Sequence, residues 1–206
     1  VATGRRIYVD IDDVLSRTIE SLIDLLDETH GRRVAVEDVR FFDLEKSFDL
    51  SVDQIAAFMD RAHADDVLER LAPVEGGVGI LDHWHSNGHE IHLVTGRPPS
   101  TNAASRRWLE RHAVPHASLH HLDKWARPTW NEGGLPALRF DDVGEMGFDF
   151  AVEDSLDTAV RLVEEFGIPV ALMDQPWNRD VGRLAASTRS QMVRCAAWAE
   201  VAAALR

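Results

Sequence analysis

The chain has one cysteine, Cys195, one tyrosine, and two lysines, Lys46 and Lys124, among 22 basic side chains, the rest arginine. A single thiol excludes an internal disulfide and suits a reducing compartment; Cys195 itself reads as a small core residue. No apolar run approaches the roughly 18 residues of a membrane span. The first residues show no signal-peptide pattern, so a cytoplasmic setting is expected. Positive charge is scarce, with 22 basic against 35 acidic side chains and a formal net charge of −13. That balance argues against a nucleic-acid polymer or an anionic membrane as the main partner, since both are bound through clustered Lys and Arg. Local phosphate binding stays open, and the rarity of lysine marks Lys46 and Lys124 as places where a compact ammonium is wanted instead of a planar guanidinium. Internal repeats and low-complexity segments are absent. With 206 residues and 45% hydrophobic content, the chain can bury a substantial core.

What is present begins with Arg5-Arg6-Ile7-Tyr8-Val9-Asp10-Ile11-Asp12-Asp13-Val14. This reads as a short buried strand ending in crowded acids. Buried carboxylates are costly unless paired or bound to a cation. A hard cation that prefers oxygen ligands, magnesium first, accounts for such crowding.

Further short apolar runs at 89–95, 117–122, 148–153 and 169–174 alternate with helical patterns, the signature of a parallel sheet covered on both faces. Val74, Val78, Leu81 and His85 form a helical stripe ending at Asn87-Gly88. Leu156 to Phe166 forms another, with Ser155 as its N-cap and Gly167 as its left-handed terminator. The tail from Ser190 to Leu205 reads as one amphipathic helix. Between Val14 and Val74 the rhythm breaks: helices are expected over 18–29, 52–64 and 66–71, with no strand among them. The organisation is therefore α/β, with a core from 1–16 and 74–206 and a helical insert over 17–73. In an open α/β sheet ligands bind outside the carboxyl ends of the strands, so the insert would stand over the site.

Those ends deliver Asp10 and Asp12, then Thr95-Gly96-Arg97, then Lys124, then Glu153-Asp154. An aspartate can attack phosphorus and hold it covalently. Asp12 is placed to protonate a leaving oxygen and then to activate water. Magnesium would draw on Asp10, a backbone carbonyl near Asp12, and Asp154. The Thr95 hydroxyl and the Gly96 amide suit phosphoryl oxygens, and Lys124 is the natural counter-charge. Arg97 reads either as a substrate contact or as a loop salt bridge. On the insert, Phe41, Phe42 and Phe48 could stack on a base and Lys46 meet a second negative group, or the rings could form the insert's own core. His116, His120 and His121 read as structural, because alternating strand faces separate His120 from His121. Asp174-Gln175-Pro176-Trp177-Asn178-Arg179 either lines the site or simply turns the chain.

These residues resemble the haloacid dehalogenase superfamily of aspartate-nucleophile phosphohydrolases. Asp10-Ile11-Asp12 is similar to its first motif, Thr95 to its second, Lys124 to its third and Glu153-Asp154 to its fourth, over residues 5 to about 175. The insert resembles the superfamily's helical cap between the first two motifs, most like that of the 5'(3')-deoxyribonucleotidases and their bacterial relatives. The resemblance implies a three-layer Rossmann-like core with a small all-helical cap, magnesium dependence, and hydrolysis of a phosphomonoester through an aspartyl-phosphate. It also implies that the acid at position 12 favours phosphate chemistry over dehalogenation. Two departures stand out: Asp13-Val14 replaces the usual Gly-Thr or Gly-Val, and the fourth motif opens with Glu153 instead of Asp. Asp157, one helical turn on, is a candidate ligand through water.

The expected substrate is a small phosphorylated metabolite, a nucleoside monophosphate first and a sugar phosphate second. Phosphotransfer to another acceptor and a silent phosphate-binding role remain alternatives. A phospho-signalling receiver domain also uses acids, a Thr and a Lys on a doubly wound sheet, but places its phosphorylated Asp on a later strand and needs no such insert.

Overall fold

A computed structural model describes residues 4–124 and 136–205. Among these residues six strands, β1 (Arg6–Val9), β2 (Glu90–Thr95), β3 (Ser118–His121), β4 (Phe150–Glu153), β5 (Val170–Met173) and β6 (Met192–Cys195), form one sheet in the order β3-β2-β1-β4-β5-β6. Every pairing is parallel. Among the described residues ten α-helices accompany them: α1 (Thr18–His30), α2 (Leu44–Phe48), α3 (Val52–Ala62), α4 (Asp65–Leu68), α5 (Gly77–Ser86), α6 (Asn102–Arg111), α7 (Phe140–Glu145), α8 (Leu156–Phe166), α9 (Ala186–Ser190) and α10 (Trp198–Ala204).

Side chains alternate across each strand, and the sheet sorts them into two apolar layers. Ile7, Val9, Ile91, Leu93, Val152 and Ala171 face one layer with Leu81, Trp108 and Trp198. Tyr8, Val94, Ala151, Val170 and Leu172 face the other, with Phe140, Ala159 and Leu162. Both faces are covered, which gives the three-layer α/β architecture that continuous apolar strands require. The insert has its own apolar cluster, in which Ile19, Leu22 and Leu26 of α1 meet Phe48, Phe58 and Ala62. Phe48 and Phe58 pack edge to face with centroids 5.6 Å apart.

Ser155 caps α8 by accepting from the Thr158 amide, and Gly167 ends it with φ 68°, as their residue types predict. The tail differs from expectation. Ser190 ends α9, residues 192–195 form β6, pairing with β5, and the helix resumes only over 198–204. Met192, Val193 and Cys195 satisfy either period over so short a run, so pairing with the open edge of β5 decides the outcome. No helix among the described residues is long and apolar enough to cross a membrane.

Candidate active site

Strand β1 lies between β2 and β4, where connections leave in opposite directions and a crevice opens at the carboxyl edge. Asp10 is the first residue beyond β1, and its amide still donates to the Val152 carbonyl at 3.0 Å. Its carboxylate is therefore set by the sheet. One oxygen accepts from the Ile11 amide at 2.8 Å and the other from Lys124 Nζ at 3.1 Å. Lys124 also reaches Glu153 Oε1 at 2.7 Å. Asp154 follows Glu153 at the end of β4, and Asp10, Glu153 and Asp154 each present an oxygen within 4.8 Å of the others.

All three acids are nearly inaccessible, at 3%, 0% and 4% exposure. One ammonium does not balance three carboxylates in such a place. Burial pushes Asp10 up to about 7, with Lys124 opposing and Glu153 and Asp12 adding to the rise. Asp154 is raised by burial, then by Glu153 and Asp10. For Lys124, burial favours the neutral amine, but Asp10 and Glu153 outweigh it and hold the ammonium well above its ordinary range. A surplus of buried oxygen donors fits a hard divalent cation, because the ion would offset the burial and the repulsion that together lift these pKa values.

Glu153 has further partners. Its Oε1 accepts from Tyr8 OH at 2.9 Å, and its Oε2 from the Asp154 and Ser155 amides at 3.0 and 2.9 Å. It thus closes the N-terminus of α8 and fixes Lys124. The longer Glu, where the resemblance suggests Asp, reaches all of these donors, which assigns it the holding of Lys124 beyond any share in a cation.

Asp12 takes a different environment from Asp10. Arg97, 3% exposed, donates to it through Nε at 3.1 and 3.0 Å and through Nη2 at 2.7 Å. Thr18 Oγ1 donates at 2.6 Å and Thr95 Oγ1 at 3.3 Å. Burial alone would raise Asp12, but the Arg97 charge and these hydrogen bonds bring it below the usual carboxylate range. Arg97 is itself held by Ser105 Oγ and Ser16 Oγ, each at 3.3 Å, while its carbonyl accepts from His121 Nδ1 at 2.9 Å if that nitrogen carries the proton. Of the two readings of Arg97, the salt bridge is the one observed, and it is made to the candidate acid.

Asp13 sits at φ 55°, a left-handed conformation that Asp adopts more readily than most residues. Its carboxylate accepts from the Ile19 amide at 2.9 Å, closing the start of α1. At position 13 the helix-cap contact is the one observed, and burial followed by Asp12 and Asp10 lifts the Asp13 pKa. A cleft of about 230 Å³ opens beside it, lined by Arg17, Glu20, Val36, Asp174 and Gln175 among others.

The remaining candidates separate. Gly96 follows Thr95 at the same strand end. Lys46 lies on α2 and pairs with Asp43 at 3.2 Å, both exposed. Phe48 is buried in the insert's core, whereas Phe41 and Phe42 are 55% and 43% exposed. Asp157 is exposed in the first turn of α8. His116, His120 and His121 bind Val114, Ser118 and Arg97 separately, and among the described residues the three acids form the one group with metal-site geometry. Sequence reasoning missed Tyr8, Thr18 and Ser16, whose polar atoms carry no pattern distinguishing them from ordinary strand and turn residues.

No family model matches the chain. It is 26% identical over 203 residues to the Halalkalibacterium halodurans protein named "Putative nucleotidase BH1399", covering 98% of this chain and 93% of that one. Among solved structures it is similar to the haloacid dehalogenase-like hydrolase SP0104 of Streptococcus pneumoniae, with a TM-score of 0.65, 15% identity and full coverage of both chains. It is also similar to the Bacillus subtilis protein described as "putative HAD-hydrolase YfnB", solved bound to magnesium, with a TM-score of 0.59, 12% identity and 99% coverage of each chain.

Proposed function

We propose, for a chain that carries the haloacid dehalogenase-like hydrolase fold, that it is a magnesium-dependent phosphomonoesterase working through an aspartyl-phosphate on Asp10. The observation that carries this reading is Asp10 itself: fixed at the switch point of the sheet, paired with Lys124, and grouped with Glu153 and Asp154. The core comprises 1–16 and 74–206 and the cap 17–73, a division supported by the separate apolar cluster of the insert.

One Asp10 oxygen attacks phosphorus as the bond to the leaving oxygen breaks. Asp12 gives its proton to that oxygen, then takes one from the water that attacks the aspartyl-phosphate and returns Asp10. Because Arg97 keeps Asp12 ionised at rest, the proton it gives is acquired as the negatively charged phosphate arrives beside it and raises its pKa. Thr95 and the Gly96 amide hold phosphoryl oxygens, and Lys124 offsets the charge gathering on Asp10 and the phosphoryl group. Magnesium held by Asp10, Asp154 and a backbone carbonyl near Asp12 would supply further charge neutralisation at the phosphoryl group.

The substrate is a nucleoside monophosphate, a reading supported by the nucleotidase name of the curated relative and by the exposed rings of Phe41 and Phe42. The setting is cytoplasmic, which the lone buried thiol supports.

The test is phosphate release from a panel of deoxy- and ribonucleotides, sugar phosphates and an aryl phosphate, with magnesium or chelator, for wild type and Asp10→Asn. Turnover that needs magnesium and disappears in the variant is expected, with nucleotides ranking first. A sugar phosphate ranking first would replace the substrate assignment, and undiminished turnover by Asp10→Asn would refute the covalent mechanism.

A further inference from the structure

Three side chains from the segment after β5 reach the site, and the steps above use none of them. Trp177 Nε1 donates to Asp154 Oδ2 at 2.9 Å. Asn178 Nδ2 donates to the Asp154 and Met173 carbonyls, both at 2.7 Å. Gln175 Nε2 donates to the Asp13 carbonyl at 3.4 Å. Arg194 on β6 pins Asn178 through its side-chain oxygen at 2.6 Å and its carbonyl at 2.7 Å. The segment Asp174 to Arg179 therefore grips Asp154 by both backbone and side chain.

Trp177 does something further. Its ring packs against the apolar cluster of the insert, and its own turn, Pro176–Asn178, lies against the turn Val36–Asp38 of that insert. One side chain thus touches the cap's core with its ring and a candidate cation ligand with its N–H. The terminal torsion of an aspartate has broad minima, so a ligating carboxylate takes its orientation from outer hydrogen bonds. An indole N–H is suited to this: it donates, cannot accept, and brings no positive charge to compete with a cation.

We propose that Trp177 is a positioning residue that links the seating of the cap to the orientation of Asp154, so that cation affinity and cap docking are coupled. This rests on the cation-dependent reading of the site. Linkage makes the coupling reciprocal: whatever strengthens one strengthens the other.

The experiment titrates Mg²⁺ into the full chain without substrate, following heat of binding and the indole ¹⁵N–¹H resonances, with Trp177 assigned from Trp→Phe variants. Trp177→Phe keeps a ring for the cap and loses the N–H. It is expected to bind Mg²⁺ about tenfold more weakly than wild type, with near-UV circular dichroism and melting in chelator retained. In wild type the Trp177 resonance is expected to move with Mg²⁺. Phe58→Leu, a change within the cap core, is expected to move the same resonance and weaken Mg²⁺ binding. Equal affinity in wild type and Trp177→Phe, or a Trp177 resonance unmoved at saturation, would overturn the role at Asp154. A resonance and affinity unaffected by Phe58→Leu would overturn the link to the cap. Absence of any Mg²⁺ binding by wild type would bring down the cation-dependent reading and this proposal with it; binding that Trp177→Phe leaves intact removes the proposal alone.

Discussion

Lys124 and Lys46 differ in what surrounds them. Lys124, with a 6% exposed side chain, is enclosed between Asp10 and Glu153, while Lys46 stands in solvent beside Asp43. Breaking a buried pair leaves its partners uncompensated, at a cost of about 3–5 kcal/mol. Lys124→Met is therefore expected to lose turnover and to lower urea stability in chelator by an amount of that order, whereas Lys46→Met should change stability by less than about 0.5 kcal/mol. Arg97 supports a second expectation at this scale. With its charge gone, the burial that raises Asp12 loses its largest opponent, and the Thr18 hydrogen bond remains as a weaker one. Arg97→Met should lower kcat by about a hundredfold and move the pH profile of kcat/KM upward. An unshifted profile would show that Arg97 serves packing alone.

At the level of elements, the site depends on how β4 passes into α8. Glu153 closes the helix from one side through two amides, and Ser155 caps it by accepting from the Thr158 amide at 3.3 Å. Ser155→Ala is expected to cost about 1 kcal/mol in thermal or urea unfolding, without loss of the Lys124 pairing and hence with turnover largely kept. Strand β6 supports a different measurement. Cys195 is fully enclosed at its end, and burial, with Glu200 adding, pushes the thiol up to about 11. A disulfide reagent such as DTNB should leave the native protein unlabelled at pH 8 and react stoichiometrically once it is unfolded. Fast labelling of the native protein would mean that the β6 edge opens readily.

Over the whole molecule, cation binding and folding are linked through pH. Asp10 is raised from an ordinary value near 4 to about 7, so between these values the folded, cation-free protein holds a proton that the unfolded chain has released. The cation-free fold consequently loses stability as pH rises through that window. A bound divalent cation displaces the proton and removes the loss, so the melting-temperature gain from saturating Mg²⁺ should be larger at pH 8 than at pH 6. Equal gains would contradict the raised Asp10. Much of the molecule was legible beforehand: apolar runs specified β1 to β5, the residue types at 155 and 167 specified the ends of α8, and acids after β1 and β4 with Thr95 and Lys124 indicated a common edge. Those features are local, since period, cap chemistry and the desolvation cost of a carboxylate act within a few residues of chain. Whether 192–195 would be strand or helix was not local, because an open edge on β5 chose between periods that both fit. The same holds for Arg97, Trp177 and Glu153, whose partners lie 85, 23 and 29 positions away in sequence. Hydrogen-bond geometry and burial exist only once the sheet has brought those positions together, so the sequence by itself determined which groups meet at one edge, and the tertiary structure alone decided which of them hold one another.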